Sequence, residues 1–241
     1  MQRRSIVPVF LGLLFLFGCS LSGNQGINIF SYVVEFKDGQ QGWTGDFTGY
    51  PAGEQDSIEY DLQFAYTDLP ANLGNSKAIM LSGDNHNDSL FMFIKKKVTG
   101  LYPQTEYALA FEVEFASNAP TGAIGINGAP GESVLLKAGA SAPEPKKLVD
   151  GNNCVLNIDK GNQTIQGEDM IILGDIAVSP NTTEFTLITR NNSANYTIAP
   201  FTARTNSKGE LWLIIGTDSG YKGLTTIYYT RINAILTVPN H

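Results

Sequence analysis

The sequence predicts an all-β protein, a single-domain antiparallel β-sandwich, from three observations. Residues 79–115 hold two alternating runs on either side of a Gly/Pro turn at 99–105. In the second run Tyr107, Leu109, Phe111, Val113 and Phe115 share one face, with Glu106, Ala108, Ala110, Glu112 and Glu114 opposite. A period of two is the period of a strand with one apolar face. Residues 211–216 are apolar on both faces, as in a central buried strand, and residues 224–238 follow as one long alternating strand. No long stretch after the N-terminal apolar run has a helical period, and short strands separated by Gly, Pro and Asn turns indicate a sandwich or barrel.

In chain order, residues 29–36 read as a first strand, closed by a two-glycine turn at 37–42. Residues 43–50 are aromatic and Gly-rich, and Pro51 ends them. Residues 58–69 alternate loosely, with Tyr60, Leu62, Phe64 and Tyr66 on one side. Residues 77–82 form a strand that leads into the polar loop 83–88. The first alternating run puts Leu90, Met92, Ile94 and Val98 on one face and Phe91, Phe93, Lys95 and Lys97 on the other. A hairpin that opposes Ile94 to Phe111 and Met92 to Val113 keeps both apolar faces together, and a one-residue slip would bring lysines against them. It also pairs Lys95 and Lys97 with Glu106, Glu112 and Glu114. The Gly/Pro-rich segment 117–147 has room for short strands at 124–126 and 133–138. Short β runs follow at 155–158, 170–177 and 184–190, and a polar β or loop segment at 193–201. Residues 217–223 read as a loop.

The N-terminus has a basic head (Arg3, Arg4), an apolar run over 6–17 and a small residue before Cys19. That is the form of a secretory signal, and the run is shorter than the ~20 residues a spanning helix needs. The ending Leu16-Phe17-Gly18-Cys19 resembles the bacterial lipoprotein lipobox. The resemblance implies that Cys19 becomes the mature N-terminus and carries acyl chains, several of which anchor stably. Ser20, rather than Asp, favours the outer membrane of the cell envelope. The expected domains are a signal at 1–18, a flexible Gly/Ser tether at 19–28 and the sandwich at 29–241.

The chain has 16 Lys and Arg against 23 Asp and Glu; without Arg3 and Arg4 the balance is −9. An acidic surface argues against nucleic acid as a partner. Cys154 is the other cysteine; with Cys19 lipidated it has no disulfide partner, and its apolar neighbours mark it as a buried small hydrophobe.

The turn Val-Thr-Gly-Leu-x-Pro-x-Thr-x-Tyr at 98–107 resembles that of galactose-binding-like and carbohydrate-binding jelly rolls. So does a buried penultimate strand followed by a long final one. The chain also resembles bacterial exported proteins and lipoproteins without an assigned activity, at GWTGDFTGYP (42–51), SGDNHND (82–88), FEVEFASNAP (111–120), GAPGES (128–133), LNIDKGN (156–162) and GTDSG (216–220). The resemblance implies a jelly-roll sandwich more strongly than any function. It further implies a structural calcium, with Glu35 and Asp38 at the early position, although Thr230-Arg231 stands where many such domains place an acid.

Asp84 and Asp88, in the densest polar loop, offer oxygens at alternate positions as calcium would require. His86 between them is a poor calcium ligand, and a surface turn explains the loop equally well. Asp159 with Asn162, and Asp169 near Asp175, are weaker versions. Trp43, Asp46 and Tyr50 make a candidate sugar-binding set, rings for stacking and a carboxylate for hydroxyls; Trp43 reads equally as a core aromatic. Glu112 and Glu114, two apart on one face, are ~7 Å apart, within the ~6.5–9.5 Å of an inverting glycosidase. Phe91 and Phe93 would line that face unless another segment covers them. The two histidines, His86 and His241, and the lack of G-x-S-x-G argue against a Ser-His-Asp hydrolase. The expected function is therefore an envelope-anchored, non-catalytic binding module for carbohydrate or cell-wall glycan. The alternatives are a structural or protein-interaction subunit and, third, a glycoside hydrolase.

Overall fold

The computed structural model describes residues 29–53, 58–196 and 199–239. The signal, the tether, Cys19 and His241 lie outside the described residues. The strands are β1 (Ile29–Glu35), β2 (Thr44–Thr48), β3 (Tyr50–Pro51), β4 (Gln63–Asp68), β5 (Lys77–Asn85), β6 (Phe91–Val98), β7 (Glu106–Ser117) and β8 (Val134–Ser141). They continue as β9 (Lys147–Asp150), β10 (Asn153–Leu156), β11 (Met170–Asp175), β12 (Thr186–Asn191), β13 (Phe201–Arg204), β14 (Leu211–Ser219) and β15 (Gly223–Thr237).

They build an antiparallel sandwich, as the alternation predicts. One sheet runs β12-β7-β15-β5-β4, with β13 continuing beside β12 on β7, and β1 continuing beside β5 on β15. The facing sheet runs β11-β8-β14-β6-β2, and a small third sheet, β3-β10-β9, lies beside it. The two strands expected near the C-terminus are the centres of their sheets: β14 lies between β8 and β6, and β15 between β7 and the β1/β5 pair. Between the sheets lies one core. Ile79, Leu81, Met92, Ile94, Phe111, Val113, Leu213, Ile215, Ile232 and Leu236 all point into it.

The expected hairpin between residues 90–98 and 106–115 does not form. β6 pairs with β2 and β14, whereas β7 pairs with β12, β13 and β15. The turn at 99–105 crosses from one sheet to the other. The amide of Tyr102 donates to the Tyr107 hydroxyl at 2.9 Å, and the Thr205 hydroxyl donates to the Tyr102 carbonyl at 2.7 Å. Ile94 and Phe111 are both buried as expected, but they reach the core from opposite sheets. Alternation specifies which face is buried; it does not specify which strand lies alongside.

The expected lysine–glutamate face fails for the same reason. Lys95 pairs with Glu144 at 2.9 Å, Lys97 with Glu210 at 3.7 Å, and Glu112 with Arg231 at 2.9 Å. Lys95 and Lys97 both lie over the Trp212 ring. Two other expectations are corrected. Residues 124–126 hold only an isolated bridge from Ile126 to Lys222, and residues 217–219, read as loop, continue β14.

The outer face of the β14 sheet is covered. Phe91 and Phe93 stack at 5.5 Å beneath Ile158 and Met170, with Ile214 beside them, in a second small core. The cover is the Gly-rich strap over residues 157–169, held by buried charge. The Lys137 side chain is fully withdrawn from solvent (0 % exposed) and donates to the carbonyls of Lys160 and Ile165 and to Asp218 Oδ2. The same Asp218 oxygen accepts from Lys160 at 2.7 Å and from the Gln163 amide at 3.0 Å. A buried ion pair is stable only when every proton and lone pair finds such a partner. Burial pushes the Lys137 ammonium below the usual lysine range, against the pull of Asp218.

Candidate functional site

Four of the residues singled out in the sequence are structural. Trp43 is 1 % exposed and packs edge-on against Phe36 at 6.1 Å, so neither face of its indole is open to a sugar. Tyr50 is 4 % exposed and packs against Tyr60, and its hydroxyl accepts from Lys147 at 3.0 Å. Asp46, half-buried, holds the same Lys147 at 3.1 Å. Trp43 is thus the core aromatic of its other reading, and the open sugar platform is corrected: Asp46 and Tyr50 instead brace β2 and β3 to β9 through Lys147. Cys154 is buried and free, next to Tyr50 across the β3–β10 ladder.

The polar loop at 83–88 is also reassigned. Asn85 is buried at the end of β5, and its amide donates to the carbonyls of Ser219 and Tyr221, tying β5 to the β14–β15 turn. Asp84 faces His86 at 3.5 Å, while Asp88 receives the Asn127 amide. The two carboxylates thus have different partners. Glu35 is engaged by Lys37, and Asp38 lies in the single-turn helix Phe36–Asp38 that follows β1. Among the described residues no three His, Cys, Asp or Glu gather closely enough to hold an ion. These donor sets therefore do not fit a calcium site. Asp159 is spent on the strap, accepting from the amides of Gly161 and Glu168 at 2.9 Å each.

A different site stands on the open face of the β15 sheet. Its origin is a bulge. The β15–β7 register shifts between Tyr229 and Arg231, leaving Thr230 as an extra residue. Bulges re-aim side chains. Here Tyr229 and Ile232 stay in the core, while Thr230 and Arg231, adjacent in sequence, both face a cleft of about 400 Å3. Glu114 of β7 shares its floor, and the Thr230 hydroxyl donates to the Glu114 carboxylate at 2.7 Å. Glu35 and Lys37 form one wall and Leu187 of β12 the other. The β4–β5 connection, with Leu69, Leu73 and Ser76, forms the roof. One bond ties that roof across the cleft, from the Asn72 amide to the Phe185 carbonyl at 2.7 Å, while the Tyr66 hydroxyl of β4 donates to the Phe36 carbonyl at 2.8 Å. Lys77, paired with Asp68 at 2.8 Å, also lines the cleft.

In the ladder Glu35 lies opposite Arg231, and Arg231 opposite Glu114. Glu35 and Glu114 therefore flank Arg231 in the ladder, roughly 10 Å apart at their backbones from two strand spacings. The Lys37 ammonium holds the Glu35 carboxyl below the usual carboxylate range, and Glu35 raises Lys37 in turn. Arg231 gives one bond to Glu112 and presents a planar fork of five N–H donors. The cleft thus offers donors and acceptors of both signs, interleaved with leucine side chains. Among the described residues no histidine or cysteine lines it, and its carboxylates are engaged by Lys37 and Thr230. Such a surface is suited to bind polyhydroxy compounds. The sequence carried the Glu112/Glu114 signal for this face, but nothing in it marks the Thr230 bulge or the roof.

No protein-family description matches the chain, and no curated protein sequence matches it. Solved structures resemble it in fold. A carbohydrate-binding module studied for specific mannan recognition is 10% identical over 86% of this chain and 98% of that one, with a TM-score of 0.42. The CBM22-1 xylan-binding domain of Xyn10C from Paenibacillus barcinonensis is 10% identical over 87% and 95%, with a TM-score of 0.37. A module specific for non-crystalline cellulose is 13% identical over 81% and 88%, also at 0.37. These are likenesses of sandwich form; at such TM-scores they carry no inference about ligand.

Proposed function

We propose that this protein is a non-catalytic carbohydrate-binding module held at a bacterial cell envelope by acyl chains on Cys19. The observation that carries the binding reading is the roofed cleft, where the bulge turns Thr230 and Arg231 together toward Glu114 beneath leucine side chains. Binding sites of this kind are concave, partly apolar and furnished with a few convergent polar groups. The anchoring reading rests on the lipobox alone. A hydrolase using Glu112 and Glu114 is the weaker reading, because Arg231 holds the first and Thr230 the second. A protein-interaction subunit is the second reading, supported by Ile29 and Val33, which stand exposed on the same sheet face.

The test is thermal unfolding of the mature protein against a panel of soluble glycans. A ligand at a hundred times its dissociation constant stabilises by about 2.7 kcal/mol. A shift with one glycan class that disappears in Arg231→Ala supports the module. No shift with any glycan turns the reading to protein interaction. For the anchor, Cys19→Ser should move the protein from the membrane fraction to the soluble fraction; unchanged membrane retention refutes lipidation.

A further inference from the structure

A second hollow, of about 180 Å3, opens on the same sheet face and is lined by Ala110, Glu112, Asn191, Asn233 and Ile235. Asn233 lies two residues beyond Arg231 on β15, so it stands on the same face one repeat further along. It is flanked by Glu112 on β7 and by the exposed Val33 on β1. Its amide oxygen Oδ1 is shielded from solvent and has no hydrogen-bond partner. Shielded acceptors are nearly always satisfied, because leaving one without a donor forfeits its hydration and gains nothing. This one belongs to a residue that lines the hollow, so a half-turn of the side-chain amide would present it to a ligand there. Glu112 joins the two depressions: it lines the hollow, and its carboxylate takes a bond from Arg231, which lines the roofed cleft.

Resting on the glycan-binding reading above, we propose that one linear oligosaccharide occupies both depressions, running along β15 over the Glu112–Arg231 pair, with a sugar hydroxyl donating to Asn233 Oδ1. From Arg231 to Ile235 the strand advances about 13 Å, longer than a single pyranose ring. A monosaccharide in the roofed cleft would leave the Asn233 oxygen without a donor. The roof residues Leu69, Leu73 and Ser76 line the cleft and not the hollow. The two depressions thus differ in what lines them, and the site reads several units of a chain.

Titration calorimetry on the mature protein tests this with mono-, di- and tetrasaccharides of the manno-, xylo-, cello- and N-acetylglucosamine series. For the series that binds, affinity should rise about tenfold or more from disaccharide to tetrasaccharide, the worth of one good hydrogen bond with its contacts. Asn233→Ala should remove most of that rise. Ile235→Ala, at the far end of the floor, should reduce it and serves if the first variant does not fold. Equal affinity for di- and tetrasaccharide, or a full rise retained in the folded variants, overturns the extended site and leaves the module reading standing. No binding by any member of any series overturns both.

Discussion

The Lys137 ammonium lies 3.0 Å from Asp218 Oδ2 with both side chains out of contact with solvent, and this pair fastens the strap over Phe91 and Phe93. Removing one partner strands the other. Asp218→Ala should cost about 3–5 kcal/mol, read by urea unfolding, and should raise binding of a hydrophobic dye as the strap loosens. Lys137→Met combined with Asp218→Leu should recover part of that loss, since the Lys137 charge is gone, while Lys160 and the Gln163 amide still lose their acceptor. A double variant as unstable as the single one would mean that the pair does more than satisfy itself.

Gly139 marks where the strap passes closest. A Cβ there would lie 1.9 Å from the Asp169 carbonyl, which already accepts the Ala140 amide. Gly139→Ala should therefore displace the strap and destabilise by about 1–3 kcal/mol. Exchange at the Ala140 amide should rise more than exchange in β15; equal protection in variant and parent would contradict the close approach.

Acid should loosen the strap before the sheets. The amides of Glu168 and Gly161 hold the Asp159 carboxyl below the usual carboxylate range. A carboxyl lowered in the folded state contributes stability that is present above its unfolded value and lost as pH falls through its folded value. The melting temperature should thus fall on acidification below about pH 4. Asp159→Asn should start lower at neutral pH and change less over that window. Parallel curves for the two proteins would show that Asp159 is not the group responsible.

Arg231 separates binding from stability. Its pair with Glu112 is partly exposed, and such pairs contribute about 0–1 kcal/mol. Arg231→Ala should leave the melting temperature within a few degrees of the parent, roughly the shift expected from 1 kcal/mol, yet weaken glycan binding about tenfold or more. Thr230→Val, which removes the hydroxyl bonded to Glu114, should weaken it less. Loss of fold rather than binding in Arg231→Ala would make the residue structural.

Legibility differed sharply between face and neighbour. The alternation in residues 106–115 identified the buried side chains from Tyr107 to Phe115, and the doubly apolar run at 211–216 identified the middle of a sheet. Both are local patterns set by the period of a strand. The partner of β6 was not legible, because Met92 and Ile94 bury equally well beside β7 or across the core from it. Lys137, inside an otherwise apolar run, was the one sequence sign of the buried ion cluster; its partner Asp218 is 81 positions away.

The sequence by itself determined that this chain forms short strands, each burying an apolar face, with an acidic balance of charge. Those properties follow from side-chain period and composition, which each segment carries alone. Only the tertiary structure decided that Trp43 and Tyr50 are internal, that Phe91 and Phe93 lie under a strap, and that Glu35, Glu114, Thr230 and Arg231 share a roofed cleft. These depend on which segments pass over one another and on a one-residue bulge. Neither leaves a local pattern, because the contacts that select them join residues remote in the chain.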